Sequence, residues 1–161
     1  MTRTLYLRAS RREEEPADQG FTLIELLVVV VIIGVLIAIA VPLYSNYKKG
    51  ALNTSAASDV RGGISAVEQF YTANGNLYPD TVAGTAAGAN IALTIAPGTG
   101  VVTGTITASN GNKIEYKNYV SYYVICGENT TGKTVYSYNS NTSKSVDKST
   151  AADPAACVAI P

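Results

Sequence analysis

The residue in the most unusual chemical setting is Glu25, the one charge between Phe21 and Val41 in an otherwise apolar run. A carboxylate inside lipid costs ~2.5–3.5 kcal/mol on insertion scales, so it is rarely incidental and favours a cation at similar depth. The run itself contains no Lys, Arg or His. Cleavage after Gly20 would create such a cation, because it would turn the peptide nitrogen of Phe21 into an α-amine.

A second chemical feature is a pair of cysteines, Cys126 and Cys157, near the C-terminus. An even cysteine count beside an export-type segment favours one disulfide in an oxidising compartment, whereas two free thiols would suit a reducing one. The bond would close a loop of about thirty residues and contribute ~3–4 kcal/mol in the chain-entropy model. It would also hold the polar tail from Asn139 to Pro161.

Other chemistry has little support in the sequence. The chain has no His for general-base work, its acidic residues are scattered, and no Ser lies in a nucleophile-elbow context. No carboxylate or Cys/His cluster has the spacing of metal ligands. The formal net charge is zero, so no basic surface is available for phosphates. We therefore expect no enzyme, no cofactor, no metal and no nucleic-acid partner.

One long helix must position Glu25. The 21 residues of Phe21–Val41 would span ~30 Å as a helix, the hydrocarbon thickness of a bilayer. The apolar pattern then narrows to one helical stripe, and Asn74-Gly75 is a good stop signal. We predict one helix of about fifty residues, with residues 21–47 spanning the membrane and 48–75 amphipathic. Pro42 is a predicted break in it, because proline removes a backbone donor.

Residues 76–161 are predicted to form a head that contains short, Tyr-rich strands. The predicted strands are Ile91–Ile95, Val101–Thr107, one alternating strand from Ile114 to Cys126 with a possible slip in register, and Val135–Tyr138 after a turn at Glu128–Gly132. Six tyrosines are interpreted as core and sheet packing in preference to an aromatic binding face: Tyr116, Tyr119, Tyr122, Tyr123, Tyr136 and Tyr138.

Two other interpretations use the same apolar run. Arg11-Arg12 followed by the run and by Ala38-Ile39-Ala40 imitates a secretory signal, which would release a soluble domain beginning at Val41. The run is longer than a usual signal core, and a disposable signal has no use for Glu25. A plain single-pass anchor explains the length but not the combination of Gly20-Phe21 with that carboxylate.

The stretch Gly20-Phe21-Thr22-Leu23-Ile24-Glu25-Leu26-Leu27 resembles the signature of type IV prepilins and pseudopilins. The resemblance covers about residues 19–79, including Pro42 and Tyr78-Pro79. It implies that a membrane peptidase removes residues 1–20 as a leader and methylates the new N-terminus at Phe21. It also implies a filament core of apolar helices, in which we expect Glu25 to pair with the Phe21 amine of an adjoining subunit.

The resemblance further implies an α+β pilin fold, with the long helix packed on a small antiparallel sheet. The function it implies is that of a type IV pilus subunit serving adhesion, motility or DNA uptake. Its partners would be other copies in a helical filament, the prepilin peptidase, the assembly platform with its ATPase, and membrane lipid. The single-pass precursor would lie in the inner or plasma membrane, with its arginine-containing leader cytoplasmic, and the assembled pilus would be extracellular. A pseudopilin of a secretion or competence system is the alternative, which the two cysteines and few C-terminal acids disfavour.

Overall fold

The computed structural model describes residues 20–82, 84, 86–95 and 104–160. Most of the expected leader and residues 101–103 of one predicted strand lie outside these ranges. The elements, in chain order, are α1 Leu23–Ala73, β1 Ile91–Leu93, β2 Gly104–Ile106, β3 Asn112–Asn118, β4 Tyr123–Asn129, β5 Val135–Asn139, β6 Asp147–Lys148 and α2 Pro154–Val158. The α+β class, a long N-terminal helix with antiparallel sheets, is confirmed.

Helix α1 contains 51 residues, close to the length that the sequence predicts. It ends at Ala73, and Gly75 and Asn76 then adopt positive φ angles of 65° each, a conformation that stops helices. The break expected at Pro42 is not observed, because the helix runs through that residue. Proline inside a helix costs ~3 kcal/mol through one lost hydrogen bond and a clash with the carbonyl four residues earlier, but it can be accommodated without ending the helix.

In the described residues of the head, the strands form two antiparallel sheets. Strands β1 and β2 pair with Ile91 opposite Ile106, and the second sheet has the order β3-β4-β5-β6. The single strand expected from Ile114 to Cys126 is wrong, because β3 and β4 form a hairpin there. At its tip Val120 adopts a φ of 72°, and the Tyr119 N–H donates to the Tyr122 carbonyl at 2.8 Å.

The later part of the head is also more ordered than the sequence predicts. The turn expected at Glu128–Gly132 begins two residues later, since Glu128 and Asn129 belong to β4. The Asn129 side chain specifies this turn by accepting from the Thr131 and Gly132 N–H groups at 2.9 and 3.1 Å. The tail contains β6 and α2, and Asp153 caps α2 by accepting from Ala156 N at 2.7 Å.

The main core forms between the C-terminal part of α1 and the sheets. The buried helix residues include Val60, Val67 and Phe70, and the buried strand residues include Ile114 and Ile125. Glycines permit the close approach. A Cβ at Gly127 would lie 2.7 Å from side-chain atoms of Ile114 and Val60, and one at Gly63 would lie 3.1 Å from Ile106. Gly63 weakens the isolated helix but allows α1 to approach the sheets.

The other face of the four-stranded sheet carries a smaller cluster around the disulfide. Cys126 and Cys157 are bonded at a sequence separation of 31, and both are buried. Val124, Val135 and Val158 complete this cluster. The Tyr119 hydroxyl donates to the Val158 carbonyl at 2.7 Å. The bond predicted from cysteine count therefore fixes α2 against the sheet.

Candidate membrane and assembly site in the long helix

The first part of α1 presents apolar side chains without a covering layer of protein. Every residue from 20 to 51 is exposed. The exposed fraction is 89% at Phe21, 57% at Val35 and 52% at Leu43. By length and composition the helix can cross a membrane. Because an apolar surface of this size is unfavourable in water, the segment requires lipid or other apolar helices around it.

Glu25 lies at the start of this helix and forms a capping box with Thr22. The Thr22 N–H and hydroxyl each donate to Oε2 of Glu25 at 2.8 Å, and the Glu25 N–H donates back to the Thr22 hydroxyl at 3.3 Å. This arrangement is the Ser/Thr-x-x-Glu motif that satisfies orphan donors at a helix N-terminus. The carboxylate also lies at the positive end of the helix dipole.

Of the sequence-predicted site residues, Gly20, Phe21 and Glu25 lie at or just before the start of α1, whereas Pro42 lies inside the helix and the two cysteines lie in the head. Gly20 and Phe21 precede the first helical residue, Leu23, and therefore lie outside the helix. A Cβ at Gly20 would meet nothing within 4 Å. Glu25 is hydrogen-bonded to Thr22, the residue directly after Phe21. Thr22 was missed as a site residue, although its spacing three residues before Glu25, ahead of an apolar run, is a recognisable signal.

The tyrosines of the head pack as expected, and one of them joins the helix to the sheet. Tyr116 and Tyr123 are fully buried, and the Tyr123 hydroxyl donates to Oε1 of Glu68 on α1 at 2.7 Å. Burial raises the pKa of Tyr123 far above its usual value, and the hydrogen bond to Glu68 raises it further. The Tyr78 ring lies 4.4 Å from the Tyr71 ring and 5.1 Å from the Tyr123 ring, measured between centroids.

Carboxylates in the head do not form a metal centre in the part of the chain that the structure describes. No group of three or more acidic, His or Cys side chains there is placed to hold a metal ion. Glu115 lines a cavity of about 180 Å³ with Glu128 and Asp153, and Lys113 lies at the same cavity. Burial raises the pKa of Glu115, and the nearby Asp153 adds to this effect.

Comparison with known proteins agrees with the resemblance in the sequence. The family model of the prokaryotic N-terminal methylation motif matches residues 16–41. The chain is 39% identical over 102 residues to the type IV major pilin protein PilE of Neisseria gonorrhoeae, covering 60% of each chain. Over the matched residues, this chain is similar to type IV pilins. A fimbrial protein of Neisseria meningitidis is 38% identical over 101 residues, covering 59% of each chain.

A third relative matches the chain over a shorter stretch. The type IV major alpha-pilin of Moraxella bovis is 44% identical over 52 residues, which is 32% of this chain and 33% of the relative. The first relatives are matched over about 60% of their own length. No solved structure matches the chain. The motif region contains Gly20, Phe21, Thr22 and Glu25, which lie at or just before the start of α1.

Proposed function

We propose that this chain is the precursor of a structural subunit of a type IV pilus. In this proposal, residues 1–20 are a leader that a membrane prepilin peptidase removes after Gly20, and Phe21 becomes the methylated N-terminus. Residues 21–47 form the membrane-spanning and later filament-core part of the helix, and residues 48–75 its amphipathic part. Residues 76–161 form the head, which faces outward on the cell surface.

The observation that carries the proposal is the exposure of the apolar helix. An uncovered run from Phe21 to Leu43 can be stable in two settings, a bilayer or a bundle of identical helices. A pilus subunit uses both settings in turn, first as a single-pass membrane protein and then as part of a helical filament. An ordinary anchor needs only the first, and does not account for a match to the N-terminal methylation motif.

Glu25 would set the register of each new subunit. In the single chain, Oε2 of Glu25 accepts two hydrogen bonds, and both come from Thr22. In a filament the carboxylate would also meet the Phe21 amine of an adjoining copy. Opposite charges attract strongly in a low-dielectric core, and a one-residue stagger would separate them. Apolar helices alone lack this preference, because lipid gives them no hydrophobic gain for a particular register.

The partners follow from the same proposal. They are the prepilin peptidase, an assembly platform with its ATPase, membrane lipid before assembly, and other copies of this chain afterwards. The role is structural and not enzymatic. The buried disulfide and the few acids of the tail favour a pilus over the pseudopilus of a secretion or competence system. Adhesion, motility and DNA uptake would depend on the surface of the head.

Processing provides the direct test. Gly20→Val should leave the precursor uncut in the membrane, because a β-branched side chain would stand at the scissile bond. Gly50→Val is the matched control, since a Cβ there also meets nothing within 4 Å. Mass spectrometry of the mature wild-type chain should show methylated Phe21 as its first residue. A first residue at Val41 would instead support a soluble secreted domain and contradict the proposal.

A further inference from the structure

A band of aromatic and basic side chains follows the apolar run on α1. Tyr44 and Tyr47 are 70% and 71% exposed, and Lys48 and Lys49 come directly after them and are also exposed. Tyr44, Tyr47 and Lys48 lie on one helical face, because residues three and four apart are neighbours on a helix. We call these four residues the Tyr–Lys band.

The band lies between the apolar run and the part of α1 that the head covers. Burial begins at Leu52, and Asn53 Oδ1 accepts from the Thr134 N–H of the head at 3.2 Å. The eight residues from Tyr44 to Ala51 therefore rise ~12 Å along the helix without cover from the head. The polar region on each side of a bilayer is ~5–8 Å thick. The stretch is long enough to cross this region and bring the head just outside it.

Building on the proposed function, we propose that the Tyr–Lys band is a lipid-binding site that fixes the depth of the unassembled subunit. Its ligand is the anionic phospholipid headgroup of the outer leaflet of the inner membrane. Tyrosine suits this position, since its ring is apolar and its hydroxyl is polar. The lysine stems can extend along the apolar boundary while their ammonium groups reach lipid phosphates.

The sequence allows a clean depth measurement, because the chain contains no tryptophan. Tyr47→Trp introduces a single fluorophore in the band, and Val35→Trp introduces one within the apolar run. Each full-length chain is reconstituted in phosphatidylcholine vesicles with lipids brominated near the headgroup or deep in the acyl chain. We expect shallow bromines to quench the Tyr47→Trp chain best and deep bromines to quench the Val35→Trp chain best.

Headgroup selectivity is measured with brominated phosphatidylglycerol against brominated phosphatidylcholine. Near the tryptophan of the Tyr47→Trp chain, we expect phosphatidylglycerol to bind more strongly than phosphatidylcholine. The preference should be about fivefold for each lysine that contacts the lipid. Adding Lys48→Gln and Lys49→Gln should reduce this ratio to near one. Lys133→Gln, on an exposed turn of the head, is the matched control and should leave the ratio unchanged.

The outcomes separate this proposal from the one on which it rests. If neither tryptophan is quenched by any brominated lipid, the helix does not span the bilayer and the membrane-precursor function fails. If the Val35→Trp chain is quenched and the Tyr47→Trp chain is not, only the Tyr–Lys band is wrong. Equal binding of the two lipids, or a phosphatidylglycerol preference that survives both lysine substitutions, would overturn the assignment of anionic headgroups as the ligand.

Discussion

Two stretches of the same helix show how differently one element can be stabilised. Val35 lies in the apolar run and is 57% exposed, whereas Val60, seven turns further along, is completely buried. The two residues have the same side chain and the same secondary structure. The two residues differ in what packs against them. Val60 packs against the sheets of the head of the same chain. For Val35 we propose lipid and then other copies of the chain.

The difference has a consequence for how each stretch tolerates change. The apolar run satisfies its backbone through helical hydrogen bonds and needs only an apolar environment, so its side chains are broadly interchangeable. The buried stretch is complementary to particular atoms, as at Gly127, where a Cβ would lie 2.7 Å from Val60. Substitutions in the apolar run should therefore affect membrane insertion or assembly, and those in the buried stretch should affect stability of the head.

The largest expected effect concerns the one charge of the apolar run. Glu25→Val should insert into the membrane at least as well as the wild-type chain, because it removes a carboxylate from lipid, and its leader should still be cut. Assembly should fail or fall sharply when this variant is the only subunit. Electron microscopy of surface filaments measures this directly. Leu26→Val is the control, and normal filament number and length from Glu25→Val cells would contradict the register mechanism.

The next effect is confined to the head. Cys126→Ala should lower the free energy of unfolding of the head by ~3–4 kcal/mol, because the unfolded chain regains the freedom of a loop of about thirty residues. The tail that contains α2 should become more accessible to protease. Chemical denaturation with and without reductant provides the measurement. A gel of the mature wild-type chain, run with and without reductant, provides a second check. Identical migration in the two lanes, together with two alkylatable thiols, would show that the bond is not present.

A matched pair of substitutions compares the two stretches of the helix directly. Val60→Ala should destabilise the head by ~2 kcal/mol, because it removes buried methyl groups and leaves a cavity against Ile114. Val35→Ala makes the same chemical change on an exposed position and should leave the unfolding of the head unchanged. Denaturation midpoints of the two variants measure the contrast. Equal losses of stability would mean that the apolar run contributes to the fold of the head.

The features that the sequence predicts well are those carried by local pattern. The length of α1, its end before Gly75 and its uncovered first part follow from apolar periodicity and a stop signal. The hairpin between β3 and β4 was missed, because its turn contains the strand-forming residues Tyr119, Val120 and Tyr122 and no Gly or Pro. The turn is stabilised by a side chain, since Asn118 Oδ1 accepts a hydrogen bond from the Val120 N–H at 2.7 Å.

Contacts between residues that are distant in sequence leave no local pattern from which they could be predicted. Glu68 and Tyr123 are 55 residues apart, and nothing near either residue indicates their hydrogen bond. The same holds for Asp59, which accepts from the Ser109 N–H and hydroxyl at 2.6 and 2.8 Å and from Asn112 Nδ2 at 2.6 Å. Such polar contacts between distant residues form only after the apolar stripe has docked the helix on the sheets.

The smallest expected effect tests one of these distant contacts through pH. Burial raises the pKa of Tyr78, Tyr116 and Tyr123 above the ordinary value of ~10 that the unfolded chain retains. Below that pH both states keep the phenolic protons, so stability is fully present. Above it the unfolded chain releases protons that the folded chain holds, and stability should fall by ~1.4 kcal/mol per pH unit for each of Tyr116 and Tyr123, whose pKa values are raised most.

Tyr123→Phe should therefore lower stability at neutral pH, because the bond to Glu68 is lost, yet reduce the slope above pH ~10 by ~1.4 kcal/mol per pH unit. Tyr47→Phe removes a hydroxyl that is 71% exposed and should change neither quantity. Urea denaturation of the head at a series of alkaline pH values gives both numbers. An unchanged alkaline slope in Tyr123→Phe would show that the buried hydroxyl does not retain its proton in the folded head. Unchanged stability at neutral pH would show that the hydrogen bond to Glu68 does not contribute and that packing joins the helix to the sheet there.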